Sequence, residues 1–219
     1  MNKRFMDDQY ISFINTKKIQ NVLKFYQSTV SLMELYEIDS RKEEEKIKIK
    51  AYDNYFDIPE SYVESIPFDA LSDKERLVID KMNNFFNEQE YVYILPIFIF
   101  DESKNIPSGI YSIDFMSQNL YKYKELNKKD FKSKVFEKGF NICICYFIDL
   151  NESIFLDGEA GFINGAIQIG KIYENIEWVA KENEFHTYSE FVSQQSFAYN
   201  LGINCRTQLF IKNQFLKES

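Results

Sequence analysis

The chain has 219 residues, 45% apolar and 17% aromatic, which suits one ordinary domain, or one domain plus an arm, with a sizeable core. Its net charge is −8 and it holds only four arginines, Arg4, Arg41, Arg76 and Arg206, which argues against a nucleic-acid binder, because phosphate neutralisation dominates that affinity. Three cysteines make no disulfide framework, the N-terminus shows no apolar targeting segment, and the longest apolar run is ten residues, too short to cross a bilayer, so a cytoplasmic protein is expected.

Residues 1–50 read as helical. Ile19, Val22, Leu23, Phe25 and Tyr26, then Leu32, Leu35 and Tyr36, recur at helical spacing. The charge run 39–50 reads as a solvated helix end or connector. Residues 51–70, with Pro59 and Pro67, suggest an extended segment laid across a surface. A helix follows, with Ser72 as N-cap and Glu75 completing a capping box. Its apolar face is Leu77, Val78, Met82, Phe85 and Phe86.

The centre is β-rich. The run 91–100 predicts a strand buried on both faces, although Pro96 argues for an edge or a bulge. Segments 109–114 and 119–125 predict two short strands around a tight loop. Residues 127–138 predict a short helix stopped at Gly139, and 141–150 a second buried strand. Three of the seven glycines, Gly158, Gly161 and Gly165, then punctuate what reads as a strand-to-helix turn with acidic capping. A helix over 162–182 carries a continuous stripe of Phe162, Ala166, Ile169, Tyr173, Ile176 and Ala180. A loop containing His186 and a last strand over 207–216 complete an α+β pattern with mainly antiparallel strands.

Few motifs carry chemistry. Cys143 and Cys145 share one strand face, and with only Cys205 and His186 as further soft ligands they read as small buried hydrophobes, so no metal is expected. His186 is the single histidine and no nucleophile motif accompanies it. The glycine stretch lacks the lysine of a phosphate loop, and Asp157 and Glu159 would repel a phosphate at the helix N-terminus while stabilising the helix end.

The order of landmarks resembles the nitroreductase-like FMN-dependent dehydrogenases of the SagB type, which oxidise azoline rings to azoles in peptide natural-product biosynthesis. INTKK at 14–18, with the extended segment after it, resembles the family's lead-in. The strand pair with Gly109, Tyr111, Asp114 and Leu120 resembles its "GlY-x-yD" hallmark. In GEAGFINGAIQIGKIYENIEWVAKE, Gly170, Asn175 and Ala180 keep the pattern of its long helix, and SEFVSQQSFAYNLGIN resembles its closing segment. The resemblance implies a nitroreductase-like domain over 51–219 behind a helical segment 1–50. It further implies FMN as cofactor, held near Gly158, Ala160, Lys171 and Asn175, and a dimer with a homologue.

The departures matter as much. Where that family keeps a Lys-Tyr pair for proton handling, this chain has Leu156 and Asp157. Leucine has no ionisable group, so acid/base work at that position is lost. The family's two later arginines become Ala160 and Ile163, its histidine Lys171 and its glutamine Glu174. Residues 60–90 hold only Arg76 where an arginine-rich stretch would grip the FMN phosphate. These losses point to a catalytically degenerate subunit that pairs with an active FMN-dependent dehydrogenase and shares its flavin or holds a peptide substrate. One alternative is a self-sufficient FMN oxidoreductase in which Lys171 or Lys181 replaces the lost cations. The other is a non-enzymatic acidic binding or immunity protein, whose charge suits a basic partner.

Overall fold

The structure is a computed structural model that describes residues 64–88, 93–131, 133–158, 160–190, 194–204 and 207–218. The expected N-terminal helical segment, the 50/51 domain boundary and Cys205 lie outside these residues. The elements in chain order are β1 (Glu64–Pro67), α1 (Asp73–Glu88), β2 (Ile94–Phe100), β3 (Gly109–Asp114) and β4 (Asn119–Lys124). They continue with α2 (Lys134–Lys138), β5 (Ile142–Asp149), α3 (Leu150–Asp157), α4 (Ala160–Glu182), β6 (Phe185–Tyr188), α5 (Gln194–Leu201) and β7 (Gln208–Glu218).

The seven strands form one antiparallel sheet in the order β1-β4-β3-β2-β5-β7-β6. The two apolar runs of the sequence, β2 and β5, pair at its centre from Ile94↔Ile148 to Phe100↔Ile142. Strand alternation then divides the core in two. Ile142, Ile144, Tyr146 and Ile148 of β5 face α1 and α4. Cys143, Cys145 and Phe147 face α2, α5 and the short 3-10 turn Lys128–Phe131. Both faces of β5 are covered, which is why its sequence is apolar without a break.

Pro96 lies in a strand with neighbours on both sides, yet the ladder from β2 to β3 runs only from Phe98 to Phe100. At Pro96 one side of β2 is therefore locally unpaired, which is where a residue without an N–H is tolerated. The capping box forms as expected. Ser72 N and Oγ donate to Glu75 Oε2 at 3.0 and 2.8 Å, and Glu75 N donates back to Ser72 Oγ at 3.3 Å.

Three stretches differ from the sequence expectation. Residues 150–157 form the helix α3 rather than a turn, capped by Asp149, whose carboxylate accepts from the backbone N–H groups of Asn151 and Glu152. The segment around His186 is the edge strand β6, zipped to β7 from Phe185↔Glu218 to Tyr188↔Phe215. The helix expected over 127–138 is broken into a 3-10 turn and the five-residue α2, whose N-cap Ser133 takes the amides of Val135 and Phe136.

Candidate functional site

The corner between α3 and α4 is where the sequence places its candidate site. Strand β5 runs directly into α3, and α3 ends on Gly158 with φ 63° and ψ −152°, a backbone region that side-chain-bearing residues rarely adopt. The Gly158 N–H closes the helix on Ile154 O at 2.9 Å, and Gly161 N–H returns to Gly158 O at 3.0 Å. Two residues after Gly158, α4 begins. A Cβ at Gly161 would run into the backbone carbonyl of Ser153, so this glycine is what lets the first turn of α4 lie against α3. At Gly165 a Cβ would stand 2.8 Å from Ile148 Cδ1, which presses α4 onto the central strand.

Leu156 is buried and belongs to the core on the α1/α4 face. Asp157 is half-buried and accepts a hydrogen bond from the Tyr93 hydroxyl at 2.7 Å. Tyr93 itself is buried at the entrance to β2. The corner is thus a carboxylate fixed by a phenol from a residue 64 positions away. No local pattern signals this pairing, because in sequence Tyr93 is one more aromatic in an apolar run.

Lys171 and Asn175 lie elsewhere. Both are on the exposed side of α4, one turn apart, and Asn175 Nδ2 donates to Lys171 O at 3.0 Å. Eleven residues separate Ala160 from Lys171, about 16 Å along the helix axis. The four positions form two pairs: Gly158 with Ala160 at the corner, and Lys171 with Asn175 on the outer helix face. Lys181 is held by Glu177 at 2.6 Å. Arg76 is taken by Asp69 at 2.6 Å and by Asp80 at 3.4 Å.

Ionisable groups elsewhere respond to burial. Burial, and then the nearby Asp149 carboxylate, push Glu152 above the usual carboxylate range. The Tyr111, Tyr123 and Tyr146 phenols are all held well up, desolvation being the largest cause in each. Burial raises the Cys143 thiol, whose sulfur lies 3.7 Å from that of Cys145. The pair sits in the dry core as two small apolar side chains. His186 is exposed on β6, opposite Lys217. Among the described residues no three His, Cys, Asp or Glu side chains cluster to hold a metal, and no helix is long and apolar enough to cross a membrane.

No family model matches the chain, and no curated protein does. Solved structures do. A protein of Anabaena variabilis named as a nitroreductase superposes with a TM-score of 0.56 at 10% identity, over 78% of this chain and 45% of that one. The fold is nitroreductase-like. A chain of the Escherichia coli microcin synthetase McbBCD complex, solved with truncated pro-MccB17 bound, superposes with a TM-score of 0.53 at 17% identity. That match covers 59% of this chain and 53% of the other. This chain therefore spans about half the length of the solved chains it resembles.

A grip for a flavin phosphate needs cations or amide donors converging on one point. The Leu156 side chain offers neither, Lys171 stands about three turns away from the corner, and Arg76 and Lys181 are engaged by carboxylates. At the corner the Tyr93 hydroxyl fixes the Asp157 carboxylate in place.

Proposed function

We propose that this chain is a non-catalytic subunit of a peptide-modifying synthetase, pairing with a flavin-bearing nitroreductase-like chain. The observation that carries the reading is the corner itself. At the position where the resembled family handles protons stand a buried leucine and an aspartate tied to Tyr93. A side chain without an ionisable group transfers no proton, whatever is bound nearby. The likeness to a chain of the McbBCD complex supports a role inside a multi-chain assembly acting on a peptide. In that role the corner and the α4 surface serve as a wall beside the partner's flavin or as a rest for the peptide.

The test is the visible absorption spectrum of the purified chain, alone and after co-expression with a nitroreductase-like homologue, read with size-exclusion chromatography. The expected outcome is a colourless protein alone and a coloured complex with the homologue. A flavin band in the isolated chain would overturn the reading in favour of a self-sufficient FMN oxidoreductase. A colourless chain that forms no complex would favour an acidic binding protein instead.

A further inference from the structure

We draw no further inference here: the strongest candidate, the surface patch that the exposed Ile154 and Phe155 make on α3 beside the corner, carries none because nothing in the structure shows what covers it.

Discussion

The two faces of the sheet are built on different principles. The face under α2 and α5 is a mass of rings. Phe136 stacks on Phe131 with centroids 4.2 Å apart and meets Phe140, Phe197 and Phe215 edge-on, while Tyr188 stacks on Phe215. Its polar side chains include Asn213, whose Oδ1 accepts from Glu190 N at 3.0 Å. The face under α1 and α4 mixes aliphatic side chains with rings such as Phe98, Phe100 and Tyr111, is closely approached through Gly161 and Gly165, and is threaded by polar links. There Tyr146 donates to Gln214 Oε1 at 2.8 Å, Gln214 Nε2 donates to Tyr173 O at 3.0 Å, and Tyr93 holds Asp157. A dense ring cluster thus packs the face under α2 and α5, and the candidate site grows from the other, where rings and aliphatic side chains are joined by hydrogen bonds that fix geometry.

That contrast can be broken from either side. Phe136→Ala removes the ring at the centre of the aromatic cluster and is expected to cost about 3–5 kcal/mol, read by urea unfolding, with the Tyr93–Asp157 corner unaffected. Gly161→Ala drives a Cβ into the Ser153 carbonyl and is expected to cost about 1–3 kcal/mol by forcing α3 and α4 apart. The same substitution at an unobstructed helix position would stabilise, so the sign of the change reports the close approach.

Tyr93→Phe removes the hydroxyl that donates to Asp157 and keeps the ring. It is expected to cost about 1–2 kcal/mol, and to loosen the start of α4 in hydrogen exchange while leaving the face under α2 and α5 protected.

The smallest effect is expected on mild alkalinisation, and it draws on both faces. Cys143 and Tyr123 on one face and Tyr146 on the other are held protonated in the fold by burial. The unfolded chain releases these protons first, at about pH 8.5 for the thiol and about pH 10 for the phenols. Above those values the folded state binds more protons than the unfolded state, so stability falls as pH rises. Urea midpoints are expected to decline from about pH 8.5 upward, and a Cys143→Ser chain is expected to begin its decline later.

Legibility followed the range of the interaction. The Ser72–Glu75 box, the 109–114/119–125 hairpin and the stripe of α4 each depend on residues a few positions apart, and each stands in the structure where the pattern puts it. Helix α3 carried a readable signal, Asp149 followed three residues later by Glu152, but the apolar run of β5 continues into Leu150 and hides the change of period. Strand β6 had no such signal, because the turn before it places Glu184 at φ 63° where glycine is the usual marker. The corner was half legible. Leu156 reads in sequence as a side chain with no ionisable group, whereas the partner of Asp157 appears only once Tyr93 is folded against it.

By itself the sequence determined the class, an α+β chain with two doubly buried strands, the caps of α1 and the inward stripe of α4, because propensity and periodicity act within a few residues. Tertiary structure alone decided the strand order and the split of the core into one half under α2 and α5 and another, threaded by polar links, under α1 and α4. It also decided that Lys171 and Asn175 stand apart from the corner. Those facts depend on contacts between residues far apart in the chain, and the pairing of Tyr93 with Asp157 across 64 positions is the plainest case.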